Sequence, residues 1–328
     1  MIVPEYWAEG RIQQQVAGKQ YTVRRYGWSD DSAMAAQAHA DQRTREAFDR
    51  IVNGEPLQRR ERKLAYNGAD GMPIREEILE RQGDSIITRN GYGARCLNTP
   101  NVMFVDVDFE DRRGSARGLT VIGAAFLMAF AVGYATHSAM AGLATLMLVT
   151  AFGFWRARAE GLRLTEDKSD QLTGLRERVD QFIQQRPDWH LRLYRTPSGA
   201  RILAMHDVFA PADAGVAEAF EALGADPVYA RMCRNQNCFR ARLSAKPWRV
   251  DIDEHLPRPS VWPVPFEKQA ARNAWVARYE KAAQGFAACQ YLGSVGNTLN
   301  VHPDALAVQD LHDCLLYTSP SPRDGLLS

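Results

Sequence analysis

The run Met103–Glu110, MFVDVDFE, places carboxylates at alternate positions. Side chains alternate across a β-strand, so Asp106 and Asp108 share one face, with Glu110 following at its end. Val105, Val107 and Phe109 take the other face. Two neighbouring carboxylates repel each other. A divalent cation that prefers oxygen ligands relieves the repulsion, and Mg²⁺ or Mn²⁺ fits best. A metal held there can clamp a transferring phosphoryl or nucleotidyl group. The alternative reading is a solvated strand face neutralised by Arg112 and Arg113.

These residues need elements to position them. In the N-terminal third, Tyr21–Gly27 reads as a strand. Ser29 and Asp30 can cap a following helix that runs to about Val52 and ends at Asn53-Gly54. PIREEILERQG, with Pro73 near its start, reads as a short helix. SIITRNGYGARCLNT reads as strand, Asn90-Gly91 turn and return strand. After the acidic strand, Leu172–Gln185 carries Leu172, Leu175, Val179, Phe182 and Ile183 on one helical face, and Pro187 stops it. His190–Thr196 and Ala200–His206 read as a hairpin around Pro197-Ser198-Gly199. Asp213 can cap a helix ended by Gly224, and Phe239–Ser244 reads as a further strand. A proline-rich connector, Leu256–Pro265, precedes a helix from about Glu267 to Cys289.

Between the acidic strand and Leu172 lies an uncharged run, Gly118–Trp155. It divides into Leu119–Ala135, the trio Thr136-His137-Ser138, and Ala139–Trp155. Each half has the length of a short bilayer-spanning helix. Arg112, Arg113 and Arg117 precede the run; Arg156, Arg158 and Arg163 follow it. Positive charge on both flanks and none in the turn predicts a transmembrane hairpin with both soluble parts in the cytoplasm, at the inner membrane. The lipid bilayer is then a partner, and His137 is a solvated turn residue.

With the hairpin set aside, the order from Met103 is βαββαβ. The expected fold class is therefore α+β, a ferredoxin-like or RRM-like core interrupted by a two-helix transmembrane hairpin. Residues 1–100 form an N-terminal α/β region, 101–117 with 156–255 the core, 118–155 the hairpin, and 256–313 the connector and C-terminal helices. Cys314–Asp324, CLLYTSPSPRD, resembles a translated sequencing adapter, so residues 314–328 are excluded from the fold expectation.

The order of motifs resembles the archaeo-eukaryotic primase superfamily: an acidic pair on the first strand in MFVDVDF, Ala204-Met205-His206 on a later strand, and a hydrophobic-Asp at Val250-Asp251 or Ile252-Asp253. The resemblance implies metal-dependent nucleotidyl transfer. Asp106, Asp108 and either Asp251 or Asp253 would ligate Mg²⁺ or Mn²⁺, with Asp226 a rival third ligand. His206 would contact nucleotide phosphates, and Arg240, Arg242 and Lys246 would hold triphosphate oxygens. The bland readings are a strand-end histidine and an exposed basic strand face. A non-catalytic scaffold or sensor, its open sheet binding a protein or small ligand, is the alternative function.

Composition narrows the partners. Lys and Arg number 40 against 39 Asp and Glu, a formal net charge of +1, so no broad basic field attracts nucleic acid. Before residue 314 there are four cysteines, and only Cys233 and Cys238 lie close, as C-x4-C without a second ligand pair. Reduced thiols fit this better than a structural zinc site. No Ser-His-Asp, HExxH or dinucleotide-binding pattern is present.

Overall fold

The computed structural model describes residues 3–61, 73–109, 127–128, 130–132, 134–260 and 262–317. The chain divides into two compact units: one built from Met1–Val107 with Arg178–Leu327, the other essentially Asp108–Glu177.

The first unit opens with a long two-stranded ribbon. β1 (Tyr6–Val16) and β2 (Lys19–Ser29) pair antiparallel along their whole length. Ala17 and Gly18 turn between them, both at positive φ (49° and 78°), the conformation a two-residue hairpin of the favoured twist requires. α1 (Ala33–Val52) lies on the ribbon. Its cap is Ser32, whose hydroxyl accepts from the Ala35 N–H at 3.1 Å, rather than Ser29 or Asp30. Val23, Ala47 and Phe48 form the seam, with Ile12, Val16 and Tyr21 beside them. A Cβ on Gly10 or Gly27 would overlap the backbone of Ala40, so glycine is what lets this helix approach the ribbon.

A four-stranded antiparallel sheet follows in the order β3-β4-β5-β9, comprising Glu77–Gln82, Ser85–Arg89, Arg95–Thr99 and Phe239–Arg242. The segment expected as a short helix at PIREEILERQG is thus strand β3. Gly83-Asp84 is the two-residue hairpin turn joining β3 to β4.

The third sheet has the order β10-β7-β8-β6, comprising Gln290–Gly296, His190–Thr196, Gly199–Ala204 and Phe104–Asp108. Further helices of the described residues are α2 (Ala139–Gln185), α3 (Ala214–Leu223), α4 (Pro227–Gln236), α5 (Phe266–Ala283) and α6 (Pro303–Tyr317). In α2 the buried residues Val179 and Phe182 lie on the face the sequence pattern assigned to the core.

Two further expectations are corrected. The ferredoxin-like core fails at its last strand, because β9 does not enter the sheet of β6. It pairs with β5, Leu97 opposite Ala241. The hydroxyl of Tyr229 on α4 stands between β6 and β9, 3.1 Å from the Phe104 carbonyl and 3.0 Å from that of Arg240. The phenol occupies the place of a strand-to-strand ladder, and β10 completes the third sheet on its other side.

The transmembrane hairpin is the second correction. Among the described residues, no helix is long and apolar enough to cross a membrane. The expected second span, Ala139–Trp155, is the opening of the 47-residue α2, which runs unbroken through a charged segment to Gln185. Seventeen residues give about 25 Å of apolar helix, short of a hydrocarbon core of about 30 Å. The expected first span, Leu119–Ala135, falls largely outside the described residues.

Candidate functional site

Asp106 sits on β6 and Arg201 on β8. The Arg201 guanidinium is 2% exposed, and its Nε donates to Asp106 Oδ1 at 3.3 Å. Burial works against the charge of Arg201. The Asp106 carboxylate, with Cys289 and Tyr229 adding to it, outweighs this and leaves the guanidinium pKa above its ordinary value. Arg201 Nη1 donates to the Arg242 carbonyl at 2.9 Å and approaches His312 Nε2 on α6 at 3.3 Å. A guanidinium can only donate, so Nε2 is an acceptor and the ring proton lies on Nδ1. That nitrogen meets Asp313 Oδ1 at 2.9 Å. Asp313 also accepts from Tyr194 at 2.9 Å and from Arg192 at 2.8 Å, both on β7. Arg192 in turn stacks over the ring of Tyr291 on β10. One polar chain therefore crosses all four strands, and the face expected to be open is covered by α6, with His312 against the rings of Phe104 and Tyr194.

This chain contains a constellation the sequence did not announce. Cys289 Sγ lies 4.0 Å from His312 Nε2, and His312 leans on Asp313, the order of groups used in nucleophilic thiol catalysis. Its chemistry is shut. Burial pushes the Cys289 thiol up to about 12 and the His312 imidazole down to about 4. Both groups are neutral near pH 7, and Arg201 occupies the nitrogen that would act as base.

The expected metal site does not form. Among the described residues, no group of three or more His, Cys, Asp or Glu side chains is placed to hold a metal ion. Asp106 is paired with Arg201. Asp108 is exposed at the end of β6, and Asp253 is exposed in the loop after the 3-10 turn Pro247–Arg249. Asp251, in that same loop, is also exposed, with φ 59°. Asp226 caps α4, accepting from the Val228 and Tyr229 N–H groups.

His206 is not brought to Asp106. Its ring packs at a tilt on Trp189, 4.2 Å between centroids, and meets Phe209 at 5.4 Å, an aromatic cluster that also takes in Phe182. Burial lowers its pKa.

The three expected phosphate ligands separate. Arg240 forms a two-bond pair with Glu76, Nη2 to the carboxylate oxygens at 2.6 and 2.8 Å, with Glu76 itself 3% exposed. It is structural: it ties β9 to the segment ahead of β3. Arg242 and Lys246 remain at a half-exposed rim. Arg242 Nη1 donates to the Tyr92 hydroxyl at 3.3 Å. The rings of Tyr92 and Trp248 are 5.7 Å apart, and Lys246 Nζ lies 5.3 Å over Trp248. Arg249 Nη2 reaches Ser198 in the β7–β8 turn at 2.7 Å.

Sequence reasoning passed over Arg201, Tyr194, His312, Tyr92 and Trp248. Arg201 carried a usable signal, a lone charge inside the apolar strand ARILA. His312 and Asp313 carried none, because Arg201, Arg192 and Tyr194, which hold them, are more than a hundred residues away. No protein-family profile, curated protein or solved structure matches this chain.

Proposed function

We propose that the protein is a ligand-binding module, a sensor or scaffold, that takes a nucleoside phosphate at the rim formed by Tyr92, Arg242, Lys246 and Trp248. The observation that carries this reading is the contiguity of two cationic side chains with two aromatic rings, one of them, Trp248, 51% exposed. An exposed indole is a stacking platform for a base, and a guanidinium and an ammonium are donors to phosphate oxygens. A metal-assisted transferase has no ligand set to rest on among the described residues.

The test is polarisation of a fluorescent nucleoside triphosphate, titrated with the full chain in the presence of a chelator. Trp248→Ala and Arg242→Gln should each weaken binding about tenfold or more. Absence of binding, or variants that bind as the parent does, would remove the proposal.

A further inference from the structure

Of the two faces of the ribbon β1–β2, one packs on α1 along its length, and the other meets α1 at Trp28, whose ring contacts His39 and Arg43. Directly paired residues of antiparallel strands share a face. Ile12 opposite Val23, and Gln14 opposite Tyr21, lie on the α1 side. The other face presents Arg11 opposite Arg24, Gln13 opposite Thr22, and Gln15 opposite Gln20. Arg60 extends the row, because it forms a parallel bridge with Arg24 on the outer edge of β2. Three arginines thus lie side by side across the ribbon. Like charges in direct opposition are destabilising. Glu9 lies 3.5 Å from Arg24 Nη1. Arg11 Nη2 donates to Gln13 Oε1 at 2.7 Å, and Arg24 Nε is buried with no acceptor among the described residues.

We infer that this face docks on double-stranded DNA. A two-stranded antiparallel ribbon fits the major groove, about 12 Å wide. The side chains presented are those that groove chemistry uses: arginine for phosphates and guanine, glutamine for adenine, threonine for either. The near-zero net charge is a sum over the whole chain and is compatible with a local cluster such as Arg11, Arg24 and Arg60. The partner is chosen by complementarity: a polyanion relieves the crowding of Arg11, Arg24 and Arg60. The site is separate from the nucleoside-phosphate rim and is tested by different residues.

The experiment is fluorescence anisotropy of a labelled random-sequence duplex of about 20 base pairs with the full chain, over a salt series from about 50 to 200 mM. Affinity should fall steeply with salt. Arg11→Ala and Arg60→Ala should each weaken binding severalfold and reduce the salt slope by about one, and the double variant should do both more strongly. Arg11 and Arg60 are exposed, so their melting temperatures should match the parent's, which separates a lost contact from a lost fold. Arg242→Gln should leave duplex binding unchanged. Three results would overturn the inference: no binding at the lowest salt, an unaltered affinity in the arginine variants, or equal or tighter binding of single-stranded DNA or heparin.

Discussion

His312 is held in one tautomer by a donor on one side and a carboxylate on the other, and this fixes how the fold responds to acid. Its ordinary pKa of 6.5 falls to about 4 in the folded chain, chiefly by burial, with Asp313 opposing. Below pH 6.5 the unfolded chain takes up a proton that the folded ring refuses until about pH 4. Stability is therefore complete above that interval and declines as pH falls through it, by on the order of 3 kcal/mol. Asp313 adds to the loss at lower pH still, because His312, Tyr194 and Arg192 hold its pKa below the ordinary value against the effect of burial. His312→Gln, which can form hydrogen bonds but does not titrate, should flatten melting temperature between pH 7 and 4.5. A parent and variant with parallel pH profiles would show that the ring does not carry the effect. Arg201→Met belongs to the same scale. It leaves Asp106 facing a buried apolar side chain and should cost about 3 kcal/mol in urea unfolding.

Elements owe their positions to contacts of two kinds, and the sequence revealed only one of them. Local signals were legible: the αL cap at Gly224, the 197–199 hairpin and the apolar stripe of Val179 and Phe182 all stand where spacing placed them, while the turn expected at Asn90-Gly91 extends to Ala94. Long-range choices were not. Nothing in FRAR says that β9 will pair with β5, since the deciding contacts, Arg240 to Glu76 and Tyr229 between two strands, join residues far apart in sequence. The carboxylate strand was legible as a strand, and its chemistry was misjudged because Arg201 lies 95 residues away. Helix periodicity also misread β3, where polar residues at both faces hide a two-residue turn at Gly83-Asp84. Gly10 and Gly27 are a further case: unremarkable in sequence, they set the distance between α1 and the ribbon. Gly27→Ala drives a methyl into the Ala40 backbone and forces the helix outward. It should cost about 1–3 kcal/mol, and Gly18→Ala should cost less, since no atom stands within 4 Å of the added methyl and only its positive φ opposes it. Equal melting temperatures for the two variants would show that close packing at Ala40 does not hold the helix.

The chain as a whole leaves its first unit at Val107 and re-enters it at Arg178. That discontinuity predicts that the intervening unit is dispensable for folding of the first. The sheet of β6 is closed by contacts that all lie within the first unit: Asp106 to Arg201, Arg201 to His312, and Asp313 to β7. The ribbon with α1 and the sheet containing β9 also lie wholly within it. Replacing residues 111–170 by a flexible Gly/Ser linker of about 20 residues keeps β6 and the buried Leu175, Val179 and Phe182 of α2. The entropy of closing such a loop grows only slowly with its length, about 0.6 kcal/mol per doubling, so the linker itself should not unfold the protein. The shortened chain should melt in one cooperative transition close to that of the parent and retain slow amide exchange in β6, β7 and β8. Rapid exchange through those strands would mean that the 108–177 unit is part of what makes the sheet fold, and that the polar chain from Asp106 to Tyr291 cannot hold it closed without that unit.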